Sequence, residues 1–135
     1  MKEQDVAYVA VYGSLRKGMH NHGYLQKDMY IGEFQSDPIY DMYSVSGSYP
    51  ALLPNGATSI NMEVYSVSAN TLKLLNALEG YEGAHNPDNH YNRTVINTPY
   101  GLAYLYLYNH GVSKMVQVES GDWVSFKNNI KFQNT

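Results

Sequence analysis

The chain has 135 residues, 44% of them hydrophobic and 16% charged, which is the make-up of one globular domain, 1–135, rather than of a disordered segment. Its formal net charge of -3 gives nucleic acid no bulk attraction, and Arg16-Lys17 is the only adjacent basic pair. The absence of cysteine excludes disulfide and thiolate chemistry. Glu3 and Asp5 stand where a signal peptide needs positive charge, and no apolar run approaches the length of a membrane span, so a cytoplasmic location is expected.

In chain order, Val6 to Tyr12 is apolar on both faces, the pattern of a central strand in a covered sheet. Met19 to Gln26 is polar and reads as a loop or a short helical turn. Strands follow over Met29 to Phe34 and Pro38 to Val45. Tyr49 to Gly56, YPALLPNG, is a strand fragment fenced by prolines and closed by the turn pair Asn55-Gly56. Along Ile60 to Val67 the alternation sends Ile60, Met62 and Val64 one way and Glu63, Tyr65 and Val67 the other. The period then changes. Ser68 is a helix N-cap, Leu72, Leu75 and Leu78 recur at threes with Leu74 four before Leu78, and Gly80 ends the helix in a left-handed conformation. A polar loop leads to a hairpin, Tyr91 to Asn97 and Leu102 to Tyr108, around TPYG. Its second strand puts Ala103, Leu105 and Leu107 on a core face. Leu102, Tyr104, Tyr106 and Tyr108 take the other face, beside something less dry. In the tail, Trp123 is a packing anchor. The whole reads as a compact mixed α+β fold, with a partly closed barrel as one form it can take.

Fourteen tyrosines stand against three phenylalanines. Two readings of this remain open: a polar-edged core or lined cleft, and simple strand propensity. The glycine turn YGSLRKG lacks both the second glycine of a dinucleotide turn and the hydroxyl that follows lysine in a phosphate loop. It leaves consecutive backbone N–H groups that suit a carboxylate or carbonyl oxygen, or else it is a plain structural turn. The five histidines make no known metal-ligand spacing, so no metal is expected. Ser14 is not in a nucleophile elbow. Glu79 closes the leucine helix, where the helix dipole and partial burial both raise a carboxyl pKa and suit a general base; the alternative is an ordinary solvated helix-end glutamate.

Taken together, YGSLRKG, YPALLP, LNALEGYEG and the later YNR resemble the gamma-glutamylcyclotransferase-like superfamily, most closely its small AIG2-like branch, which includes gamma-glutamylamine cyclotransferases. The resemblance spans Val6 to Trp123. It implies a small mixed β-barrel-like sheet with flanking short helices and an enzyme that frees an amine and 5-oxoproline from a gamma-glutamyl compound. It implies no cofactor, and as partner only that small molecule, with neither nucleic acid nor membrane. By the same resemblance, the turn Tyr12, Gly13, Ser14 and Leu15 binds the gamma-glutamyl group, Glu79 is the general acid/base, Tyr91 and Tyr106 line the pocket, and Arg93 is structural. Asn76 stands where the family often has aspartate, and Met62 where it often has glycine; with the polar loop Tyr81 to His90, these bear on the substrate. A non-catalytic binding module that kept the pocket is the alternative, and a ligand-free interaction protein a third reading.

Overall fold

The computed structural model describes residues 5–25 and 29–133. Residues 1–4 and Gln26, which the sequence reading touches, lie outside them. Strands β1 (Asp5–Val11), β2 (Tyr30–Gln35), β5 (Asn61–Ser68), β6 (Tyr91–Thr98) and β7 (Gly101–Tyr108) form a five-stranded sheet in the order β2-β5-β1-β7-β6. Its pairs are antiparallel except β1 with β7, which run parallel with Val9 opposite Tyr104. A second sheet has the order β4-β3-β8, from β3 (Tyr40–Val45), β4 (Tyr49–Pro54) and β8 (Val116–Gln117). Pro50 and Pro54 sit on its edge strand β4, where a missing N–H breaks fewest ladder bonds.

The centre of the first sheet is covered on both faces, and this is why β1 is apolar over residues 9–11 and β5 is buried over residues 62–67. One face carries Ala10, Met62, Val64, Ala103 and Leu105, packed with Met42 and Leu52 of the second sheet and with Trp123. The opposite face carries Val9, Val11, Tyr65, Val67 and Tyr106, packed with Leu15, Leu25 and Leu75. Alternate side chains of one strand thus enter two cores. Met62 is 1% exposed and fills the first core.

Helix α1 (Ala69–Leu78) starts as expected: Ser68 Oγ accepts from Thr71 N–H at 3.2 Å. Its stripe differs from the leucine pattern. Thr71 and Leu75 are buried, whereas Leu74 is 55% exposed and Leu78 36%. Leu74 lies about 100° around the helix from Leu75 and so turns outward, while Leu78, in the last turn, overhangs the cleft described below. A short 3₁₀ turn at His22–Tyr24 occupies the expected polar segment.

Strand β8 and helix α2 (Trp123–Gln133) were not expected. Asp122 caps α2: its carboxylate accepts from Ser125 N–H at 3.3 Å, and its carbonyl accepts from Phe126 N–H. Trp123 is 1% exposed and stacks on Phe126. No helix among the described residues is long and apolar enough to cross a membrane.

Candidate active site

The turn after β1 is held from its carbonyl side. Gly13 O accepts from Arg16 N–H, Ser14 O accepts from Asn21 N–H, and Leu15 O lies 2.8 Å from His22 Nδ1. Asn21 also donates its side-chain amide to Ser14 Oγ at 2.9 Å. With these three carbonyls engaged, the N–H groups of Ser14 and Leu15 have no hydrogen bond among the described residues. A row of unpaired backbone donors of this kind is free to bond an anion or a carbonyl oxygen. Glycine is required at 13 by close approach: a Cβ there would lie 2.5 Å from Pro50 Cγ and 2.8 Å from Pro50 Cδ.

Glu79 enters from the far end of α1. The helix closes with Gly80 N–H on Ala77 O and Tyr81 N–H on Asn76 O, while Gly80 takes a φ of +64°. This cap turns the chain so that Glu79 O accepts from Tyr91 N–H and Gly80 O from His90 N–H. The last turn of α1 is thereby stitched to the start of β6. Burial pushes the Glu79 carboxyl up to about 7. Sequence neighbours do not supply that burial, because Ala77 and Leu78 are exposed. The walls of the cleft do, and they include Tyr12, Tyr91 and Tyr106.

Those three phenols are raised above their ordinary values by burial and, less strongly, by the Glu79 charge, so they remain protonated. Tyr12 Oη donates to Tyr106 O at 2.5 Å and Tyr91 Oη to Pro50 O at 2.6 Å. Each of these two hydroxyls has spent its hydrogen on a carbonyl and offers lone pairs to the cleft. Tyr106 Oη donates to Asn76 Oδ1 at 2.6 Å, an oxygen that also accepts from Arg93 Nη1 at 3.3 Å. Arg93 stacks over Tyr81 and Tyr104 outside the cleft. Asn76 therefore supplies one carboxamide oxygen to a tyrosine and an arginine.

Tyr12, Gly13, Ser14, Leu15, Glu79, Tyr91 and Tyr106 all line one cleft of about 690 Å³. Sequence reading did not assign Tyr49, Pro50, His90 and Lys127 to it, though they line it too. Pro50 lay in a quoted motif, and His90 directly precedes Tyr91; Lys127 belongs to a helix that was not recognised. His90 is held below its ordinary pKa by burial and by His110. The polar loop 81–90 is organised from within by Asn89, fully buried, which accepts from Glu82 N–H and donates to Gly83 O and Asn92 Oδ1. No cluster of three or more potential metal ligands exists among the described residues.

Known proteins share this arrangement of chain. A Vibrio cholerae protein provisionally named a gamma-glutamylcyclotransferase is 39% identical over 115 residues, covering 85% of this chain and 93% of its own. The Escherichia coli gamma-glutamylcyclotransferase family protein YtfP is 37% identical over 116 residues, covering 86% of this chain and 95% of its own. Its solution structure superposes with a TM-score of 0.65 at 35% identity over 88% of this chain and 97% of that one. An uncharacterised Pyrococcus horikoshii protein has the same fold, with a TM-score of 0.76 at 24% identity over 96% of this chain and all of that one. Residues 9–125 match the family described as gamma-glutamyl cyclotransferase, AIG2-like. The chain belongs to that family.

Proposed function

We propose that the protein is a gamma-glutamylcyclotransferase: it releases 5-oxoproline and a free amine from a gamma-glutamyl compound, with Glu79 as general acid/base. One observation carries the reading. A carboxyl whose pKa is pushed up to about 7 shares a cleft with unpaired N–H groups of the Ser14-Leu15 turn.

Ionised Glu79 takes a proton from the substrate's α-ammonium. The amine so freed attacks the substrate's own γ-carbonyl, forming the ring C–N bond. Charge moves to the carbonyl oxygen, which the turn's N–H groups stabilise where it develops. Glu79 returns its proton to the departing nitrogen and the old amide C–N bond breaks; the ring nitrogen gives up its second proton to the freed amine, which leaves as its ammonium, and 5-oxoproline remains. A carboxyl titrating near 7 can do both transfers near neutral pH. Nucleophile and electrophile belong to one molecule, so the site has only to fold the substrate and move protons. The lone pairs of Tyr12 and Tyr91 suit the ammonium that Glu79 deprotonates.

The test is release of 5-oxoproline from a panel of gamma-glutamyl amines and dipeptides. Glu79→Gln should lower kcat at least about a hundredfold, the scale of a lost general base, while circular dichroism shows an intact fold. Near-normal turnover in that variant would remove Glu79 from the role. Calorimetric binding of the panel without any product would make the cleft a binding pocket only.

A further inference from the structure

Helix α2 runs beside the cleft and sends one side chain into it. Lys127 Nζ donates to Gly47 O at 2.6 Å and lies 5.9 Å from the centre of the Trp123 ring. Gly47 belongs to the turn joining β3 and β4, between Ser46 and Ser48, both exposed. The ammonium is therefore pinned at the rim of the cleft, whereas Tyr12, Tyr91 and Tyr106 are buried. An ammonium has three N–H donors, and Gly47 O takes one. No carboxylate among the described residues pairs with Lys127, since both ion pairs found there belong to Arg16. Among the described residues, it is the one lysine or arginine that lines the cleft.

The chemistry above fixes which part of a substrate meets this cation. Ring closure folds the α-amine onto the γ-carbonyl. The α-carbon and its carboxylate therefore stay with Glu79 and the turn N–H groups. The forming ring carries two groups outside it, the α-carboxylate and the departing amine, and of the two only the amine has to leave, for which the rim is the open way. Leu78 and Tyr49 line the cleft as well and provide apolar contact for a short carbon chain. We propose that Lys127 is a specificity-determining residue that binds a carboxylate carried by the departing amine. The substrates are then gamma-glutamyl amino acids or peptides rather than gamma-glutamyl alkylamines. This inference rests on the cyclotransferase reading. Lys127 lies just outside the segment 9–125 that matches the family.

The experiment compares matched pairs: gamma-glutamylglycine with gamma-glutamylethylamide, and gamma-glutamyl-4-aminobutyrate with gamma-glutamylbutylamide. The wild type should prefer the carboxylate member of at least one pair by about tenfold in kcat/KM, as a charge-assisted hydrogen bond at a half-buried site allows. Lys127→Met and Lys127→Gln should bring that ratio toward one, mainly by raising KM for the carboxylate member, and Lys127→Arg should keep it. Thermal melts identify any variant that fails to fold, and Gln is the milder of the two neutral changes. Equal use of both members by the wild type, or an unaltered ratio in the neutral variants, overturns the inference and leaves the cyclotransferase reading standing. Absence of 5-oxoproline from every compound overturns that reading instead. Calorimetry with gamma-glutamylglycine then decides the inference alone: about tenfold weaker binding to Lys127→Gln supports it, and equal or undetectable binding to the wild type and the variant sinks it.

Discussion

Glu79 shows how a single residue can cost a protein stability while equipping it for chemistry. Its carboxyl is raised from an ordinary 4.5 to about 7 because burial disfavours the charged form. At about 1.4 kcal/mol for each tenfold change in proton affinity, that rise is worth about 3 kcal/mol. The sign follows from which state holds the proton. Between pH 4.5 and 7 the folded protein keeps a proton that the unfolded chain has released. The stabilisation is thus complete below 4.5, falls as pH rises through about 7, and does not change further above it. Glu79→Gln, which stays neutral throughout, should therefore match the wild type in urea midpoint at pH 4. At pH 8 it should exceed the wild type by about 1 to 3 kcal/mol. A variant no more stable than the wild type at pH 8 would mean that the carboxylate is well solvated and has no raised pKa to use. The same titration should appear in kcat/KM, which falls on the acid side with an apparent pKa of about 7 because the protonated carboxyl cannot act as base.

At the level of elements, the site is a meeting of two chain reversals, and the sequence signals for both were strong. YGSLRKG ends β1 with a glycine, and LNALEG ends α1 with another; the reasons differ. Gly80 is needed for its φ of +64°, which a local pattern reveals. Gly13 is needed because Pro50, far away in sequence, presses on it, which no local pattern reveals. The same limit explains why α2 was missed. Val124, Phe126 and the pair Asn128-Asn129 are poor helix formers, and the tail lacks a clean apolar stripe. The readable clue was Asp122 before Trp123 and Phe126, an N-cap followed by aromatics three apart. The leucine stripe of α1 misled for a related reason: spacing gives the angle between side chains, and packing decides which side faces the sheet. Gly13→Ala tests the close approach. Pro50 cannot rotate away, and moving β4 would shift Pro50 O from the Tyr91 hydroxyl. The melt should report a loss of about 1 to 3 kcal/mol, as overpacking does, and turnover should fall as well. Gly23→Ala is the control, since a Cβ there meets nothing within 4 Å, and its effect should stay within about 0.5 kcal/mol. Similar melts for the two variants would mean that Pro50 yields easily.

Across the whole molecule, the turn that faces the cleft is tied to both the main sheet and the C-terminal helix through Arg16. This arginine, 8% exposed, was read from sequence only as half of a weak basic pair. Its Nε donates to Glu63 Oε2 on β5 and its Nη1 to Asp122 Oδ1 at the start of α2, each at 2.9 Å. Glu63 Oε1 then accepts from Lys17 N–H and from the Tyr65 hydroxyl. Burial tends to raise the Asp122 carboxyl, but hydrogen bonds from Asn61, Ser125 and Arg16 outweigh it and hold the pKa below the ordinary value. A charged network of this kind, spanning positions 16, 63 and 122, is invisible to periodicity, because each member alone looks like a surface charge. Its energetic meaning is asymmetric. A buried ion pair adds little over a well-packed apolar replacement, whereas removing one partner strands the other charge at a cost of about 3 to 5 kcal/mol. Arg16→Met should therefore destabilise the protein by roughly that amount, and Arg16→Met with Glu63→Gln should recover a substantial part of it in a double-mutant cycle. If the network also holds the turn N–H groups in place, the double variant should regain stability without regaining kcat, because the fold is restored while the strap from turn to β5 and α2 is not. Recovery of stability and kcat together would show that Arg16 serves the fold alone. No recovery of stability would place the cost in lost packing of the arginine stem rather than in an unpaired Glu63.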